Sequence, residues 1–539
     1  MRSWICGRIF LGVVTVGCIA TVTSSLLAAP DFLPAVDGKW HYYQSPNFEL
    51  YSKDTDGQSR EILHNLELLR AAFTQMFKLA ERRRLEVTVI RFNRGKDFLA
   101  YLPSSFSKKA DFSAYYTSGT DRALIVLGPS NDEDATQEII FHEYIHHLFR
   151  VSGEDPPVWV NEGTAELFST VVAKPNGLEV GRPSKGRLIQ LRLDNMMKFE
   201  QLFAIDHSSP VFRTGSHTGL FYAEAWALMH YWYFGQSDLT SKQVDGFISS
   251  ARGQPPPSGA ILRQCFKENF NMDYGEMEKR LDRYTTSGRY GIIMLPLPKI
   301  DQADSYPKRL VPVEEARLRL AELALRTNRS PQAKLILLES VQKAPTDPRL
   351  FEVLAADALH DDDERTARIR WQQALDAGTR NPAAFRELGR MECNAWFQQI
   401  DIYFQLPADS TVRLRQLLLK SIEYAPEQTD AYEMLACVEA FSAKPSNGNV
   451  NLVQSRYPTL KNQHLTLLAL AIVRHHVSDD ATALAMLTEL DKMNPSEYIC
   501  YAMEALRAKI EGREMRWTAG QMATPPTIKI KPGPPSLKP

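Results

Sequence analysis

The sequence carries no excess of charge of either sign. Its 63 basic residues stand against 64 acidic ones, a formal net charge of −1. Nothing in that balance draws in nucleic acid or an anionic membrane surface as the main partner. Cysteine is sparse as well. Cys6 and Cys18 fall in the N-terminal segment, and Cys265, Cys393, Cys437 and Cys500 stand far apart without paired spacing. No disulfide connectivity is readable from them, and Cys393, Cys437 and Cys500 read as single buried thiols in helices. Past the N-terminus no apolar run is long enough for a transmembrane helix.

What is present is a globular composition: 44% hydrophobic and 24% charged residues. With 539 residues the chain is too long for one ordinary core, so two or more domains are expected. The N-terminus has the layout of a secretory signal, residues 1–29. Arg2 and Arg8 supply positive charge, Ile9 to Val22 is apolar, and Ser24 to Ala29 offers small residues before Pro30. Cleavage near Ala28 makes the protein exported, periplasmic or secreted. Ile9–Ala28 is also just long enough to remain as an uncleaved anchor.

The central stretch is His142-Glu143-Tyr144-Ile145-His146, an H-E-x-x-H pattern. On a helix, residues four apart share a face, so His142 and His146 can present two imidazoles to one Zn²⁺. Glu143 lies one step round and is placed to act as a base rather than a ligand. Cap residues in Ser130–Asp134 and Gly153 after Val151 bound the expected helix. A catalytic zinc takes three protein ligands. The segment Trp159-Val160-Asn161-Glu162-Gly163-Thr164-Ala165-Glu166 supplies two carboxylates on one helical face. His147, one residue past the motif, reads as structural.

Together, H-E-x-x-H and W-x-N-E-G-x-A-E resemble the gluzincin metallopeptidases, in particular the peptidase-MA-like group and its aminopeptidase-type relatives. The resemblance implies an α+β zincin-like metallopeptidase domain with Glu162, the Glu of the N-E-G phrase, as third zinc ligand. Fifteen residues separate His146 from Glu162, fewer than those relatives place there, and the count alone would select Glu166. The phrase outweighs the count, because a loop between helices shortens freely. Glu166 then becomes a carboxylate that orients a ligating imidazole, or the alternative ligand.

The resemblance also implies a catalytic tyrosine opening a later helix. Tyr222, in Gly219-Leu220-Phe221-Tyr222-Ala223-Glu224-Ala225, falls on that position. It would donate its hydroxyl to a developing oxyanion, with Glu143 as general base in the zinc-dependent hydrolysis of a peptide bond. Without the family, Tyr222 reads as a core aromatic. His217 is a weaker candidate for the cleft, and His230 reads as a core histidine. In the resembled families the last strand before the metal helix, here Arg122–Leu127, edges the cleft and pairs with peptide substrate. From the residues alone it is equally an ordinary core strand. No G-x-M-E-N-like phrase for gripping a free N-terminus is present, which favours endopeptidase or protein-substrate activity.

This domain is expected over 30–300, with strands at Asn47–Ser52 and Leu85–Phe92 and helices at Gln58–Leu79 and Asp97–Leu102. The segment 301–312 reads as a proline-rich linker. From 313 to 511 the chain is helical and self-similar. Leu320-Ala321, Leu354-Ala355 and Leu388-Gly389 recur every thirty-four residues, as do Pro348 and Pro382. That is the tetratricopeptide period, predicting an all-α solenoid that binds a partner or substrate protein. Residues 512–539 read as a disordered Pro/Lys-rich tail. Two rivals remain at this level: an inactive peptidase-like domain in an interaction scaffold, and a metal-dependent hydrolase of a non-peptide substrate.

Overall fold

The computed structural model describes residues 33, 36 and 39–516. Within that span it leaves out 78–84, 104–112, 120–121, 131, 207–208, 210–214, 236–237, 253–256, 398–403, 461 and 494, and the side chains of 133 and 215–218. The expected signal, the tail beyond 516 and the side chain of His217 lie outside the described residues. Among the described residues no helix is long and apolar enough to cross a membrane. The chain has an N-terminal α/β region built on a mixed sheet, followed by many helices.

The chain forms two compact units, one reaching Ile336 and the other running from Leu337. In the first, the strands among the described residues are, in order, β1 (His41–Gln44), β2 (Phe48–Ser52), β3 (Glu86–Arg91), β4 (Ala114–Ser118), β5 (Arg122–Leu127), β6 (Val172–Lys174), β7 (Gly177–Val180), β8 (Ile293–Leu295) and β9 (Lys308–Leu310). Its helices are α1 (Asp56–Phe77), α2 (Gly95–Ala100), α3 (Glu133–Ser152), α4 (Val158–Ser169), α5 (Lys185–Leu193), α6 (Phe199–Leu202), α7 (Gly215–Phe234), α8 (Ser241–Ser250), α9 (Gly259–Phe270), α10 (Tyr274–Ser287) and α11 (Val313–Arg326).

The main sheet has the order β4-β5-β3-β2-β1-β9. β2, β3 and β5 run parallel, with Leu50 beside Val89 and Val89 beside Ile125, while β1, β4 and β9 pair antiparallel. All six residues of β5 are buried, as suits a strand covered on both faces. The sheet stands against α1 and α3, where Phe48 meets the Tyr144 ring at 5.0 Å. A second sheet, β6-β7-β8, is small and antiparallel.

Two expectations change. β5 is an interior strand, flanked by β3 and β4, so it does not edge the cleft; the edge belongs to β4. And the proline-rich segment is not a free linker. It contributes β9, which pairs with β1, and Val311 N–H donates to Trp40 O at 2.9 Å. The next helix is tied in as well: Tyr51 Oη donates to Glu315 Oε1 at 2.9 Å, and Arg309 binds both oxygens of that carboxylate. α11, expected as the first repeat helix, thus belongs to the N-terminal unit.

The second unit follows through α12 (Ser330–Lys343, which straddles the boundary), α13 (Pro348–His360), α14 (Glu364–Asp376), α15 (Pro382–Trp396), α16 (Ala408–Tyr424), α17 (Thr429–Ala440), α18 (Asn447–Arg456), α19 (Gln463–His476), α20 (Asp480–Lys492) and α21 (Glu497–Glu511). Pro348 and Pro382 each open a helix, where a missing N–H is harmless, behind Asp347 and Asn381 caps. From α13 on, sequence neighbours pack on one another: α13 on α14, α15 on α16, α19 on α20. Among the recurrent small residues, Gly389 sits where α15 and α16 touch. A Cβ at Gly389 would come within 2.9 Å of Leu418 Cδ2 on α16.

Candidate metal centre

α3 carries the motif. Asp132 caps it by accepting from Ala135 N–H, and Gly153 ends it at φ 71°, a left-handed position suited to glycine. The face bearing His142 and His146 meets α4, which brings Glu162. His142 Nε2 lies 3.0 Å from His146 Nε2, and Glu162 Oε2 lies 3.2 and 3.3 Å from those two nitrogens. Three donors held ~2.0–2.1 Å from a tetrahedral zinc stand about 3.3 Å apart. The observed triangle is close to that face of a tetrahedron. Glu162 Oε2 is buried and makes no hydrogen bond of good geometry, so the donor set suits a cation.

Each imidazole has a polar neighbour on its far side, hydrogen-bonded in the case of His146 and an ion-pair contact in the case of His142. His146 Nδ1 lies 2.9 Å from Asn161 Oδ1, which places the hydrogen on Nδ1 and leaves the Nε2 lone pair facing Glu162. His142 Nδ1 lies 3.1 Å from Glu166 Oε1. Glu166 is gripped in turn by Arg187 of α5, whose Nε and Nη2 donate at 2.7 and 2.5 Å. Burial alone would raise the Glu166 carboxyl, but Arg187 and His142 outweigh it and hold it at about 2. Burial also disfavours charge on His142, yet Glu162 and Glu166 overcome this and raise its pKa. The raised imidazole reports negative potential between Glu162 and Glu166, and the lowered carboxyl reports the positive charge that Arg187 sets behind it.

Glu143 is half-buried, and burial raises its pKa against the pull of His146 and His142. Tyr222 comes from α7. Its ring centre lies 5.9 Å from that of His142, and its hydroxyl is buried without a hydrogen-bond partner among the described residues. α7 lies unusually near α4. A Cβ at Gly163 would fall 2.4 Å from Ala225 O and 2.6 Å from Met229 Cγ, so the glycine of the N-E-G phrase permits this approach.

His147 points away from the cluster. It stacks on Tyr144 at 5.4 Å, and its Nδ1 bonds the hydroxyl of Tyr116 on β4 at 3.1 Å. His230 is a satisfied core residue, with Nε2 on Gly181 O and Nδ1 on the Tyr284 hydroxyl, each at 2.7 Å. Asn161, Arg187 and β4 were not anticipated. Asn161 adjoins Glu162 in the sequence, and that adjacency was the available signal. No protein-family model matches the chain, and no curated protein sequence matches it.

Proposed function

We propose that this protein is an exported zinc metallopeptidase of gluzincin type, holding its metal through His142, His146 and Glu162. The observation that carries the reading is the triangle of Nε2, Nε2 and Oε2 atoms 3.0–3.3 Å apart. A zinc ion bound there supplies Lewis acidity to a carbonyl oxygen and makes a water easier to deprotonate.

The chain's own groups do the rest. Glu143, with its carboxyl pKa raised by burial, takes a proton from the attacking water and passes it to the leaving amine. The Tyr222 hydroxyl, uncommitted to any described residue, donates to the carbonyl oxygen as negative charge develops. β4, at the end of the sheet and bonded to α3 through Tyr116 and His147, offers a strand edge to an extended peptide. The helices from α13 onward act as a tetratricopeptide-like solenoid that binds a partner or substrate protein.

The test is metal analysis of protein purified without chelators, joined to casein cleavage. Stoichiometric zinc and cleavage lost in Glu143→Gln support the reading. Zinc lost in Glu162→Ala but retained, more weakly, in Glu166→Ala assigns the third ligand. A protein empty of metal and indifferent to added zinc overturns it.

A further inference from the structure

α5 and the segment after it pass round α7 like a strap. On one side, the Arg187 guanidinium of α5 stands 5.3 Å over the Tyr222 ring, and Gln190 lies against Gly219. Ten residues after Arg187, the N–H of Met197 is accepted by Glu224 Oε1. Tyr222 and Glu224 are two residues apart, about 200° round the helix, so they face opposite ways. The strap thus holds α7 from both sides. α5 has no buried residue of its own, so its seating depends on these ties and on Phe199 and Leu202 beyond them, both buried.

The tie at Met197 differs from the next one. Phe199 N–H donates to Glu278 Oε1 at 2.8 Å, and that carboxylate is paired with Lys198 Nζ at 2.9 Å. Glu224 has no such cation. It is 2% exposed, and its Oε2 is shut off from solvent without a partner among the described residues. The charged groups that line the recess beside it are Lys198 from the strap and Glu278, Lys279 and Asp282 from α10. Lys198 is committed to Glu278, and Glu278 itself opposes a second negative charge. A carboxyl so placed keeps its proton, because burying an unpaired charge costs far more than burying the neutral acid.

We propose that Glu224 is a positioning residue whose proton keeps this strap closed on α7, and that opening the strap withdraws Arg187 from Glu166 and Tyr222. This effect on the site rests on the metal centre proposed above. Closed, the strap seats the guanidinium on Glu166, which faces the His142 imidazole. Open, Glu224 meets water and ionises. Its carboxyl stands at about 8 in the closed state against an ordinary 4.5 in water. Below 4.5 both states hold the proton, and opening is hardest. Between the two values only the open state sheds it, so opening grows by as much as about tenfold per pH unit. Above 8 both states are ionised and the growth stops.

Hydrogen exchange of the full-length protein, read by mass spectrometry, tests both halves. Rates are corrected for the intrinsic pH dependence of amides, and β3 peptides report unfolding of the whole sheet. Residues 185–202 are expected to exchange faster than β3. Their protection should fall, by as much as about tenfold per pH unit, between 4.5 and about 8 and then level off. In Glu224→Gln, which keeps the Oε1 acceptor and cannot ionise, it should stay flat. A flat profile in the parent, an unchanged slope in Glu224→Gln, or exchange no faster than β3 overturns the proposal; the parent's profile decides even without the variant. Added zinc probes the link to the site. Binding that draws on a seated Arg187 must raise protection over 185–202, because coupling is reciprocal. Zinc that binds and leaves this protection unchanged overturns the link. A protein that binds no zinc yet keeps the pH slope overturns the metal centre and the link with it, and supports the strap.

Discussion

Arg187 and Glu166 meet edge to edge, with the guanidinium's Nε and Nη2 on the two carboxylate oxygens, and the same carboxylate faces His142 Nδ1. The guanidinium carbon also lies 5.3 Å over the Tyr222 ring. One side chain thus supports both the His142 imidazole, through Glu166, and the tyrosine beside it. Arg187→Met leaves a buried carboxylate unpaired and should weaken zinc binding about 10- to 100-fold, with a stability loss of about 3–5 kcal/mol. Competition with a chromophoric chelator and urea denaturation read the two effects. Arg187→Lys should restore little of either, because an ammonium cannot match the two-pronged contact.

Tyr222→Phe separates chemistry from packing. The hydroxyl bonds no described residue, so its removal should leave the melting temperature and zinc content unchanged. Turnover of a peptide substrate should fall about 10²-fold, chiefly in kcat. Undiminished kcat would reduce Tyr222 to a core aromatic.

Gly163→Ala tests the seam between α4 and α7. The added Cβ meets the backbone oxygen of Ala225, which cannot swing aside. A loss of about 1–3 kcal/mol in chemical denaturation is expected. Activity should drop more than zinc affinity, because the ligands stay on α3 and α4 while Tyr222 is pushed away with α7.

Glu224 gives the fold a pH dependence of known sign. Burial, against the Met197 N–H bond and reinforced by Glu278, raises its carboxyl to about 8 from an ordinary 4.5. Below 4.5 both folded and unfolded chains are protonated there. Between the two values the unfolded chain is ionised while the folded one keeps its proton, so stability falls as pH rises, by at most about 1.4 kcal/mol per pH unit. Above 8 the loss is complete. Glu224→Gln should match the parent near pH 4 and exceed it in stability at pH 9, as read by urea titration at each pH.

The convergence of His142, His146 and Glu162 was legible because the spacing of the two imidazoles is a property of helices. His142 and His146 must share a face once α3 forms, and Asn161, Glu162 and Gly163 are contiguous, each engaged in a different contact. Arg187 was not legible. It comes from α5, a helix with no buried residue and hence no apolar stripe to announce it. β4 was hidden for a related reason: five residues with only Ala114, Tyr115 and Ser118 buried give no regular alternation. β9 is exposed at all three positions and lies among prolines, so nothing in its composition distinguishes it from a tether. Glu224 looked like an ordinary helical glutamate; only the walls of α6 and α10 make it unusual.

β9 and Glu315 also govern how this molecule can be dissected. A fragment stopped near residue 300 would forfeit its outermost strand, bare the main-chain groups of β1 to any passing chain, and strand the Tyr51 hydroxyl inside. Such a truncation is expected to clump on expression, whereas a stop codon placed no earlier than Ile336 keeps the sheet sealed.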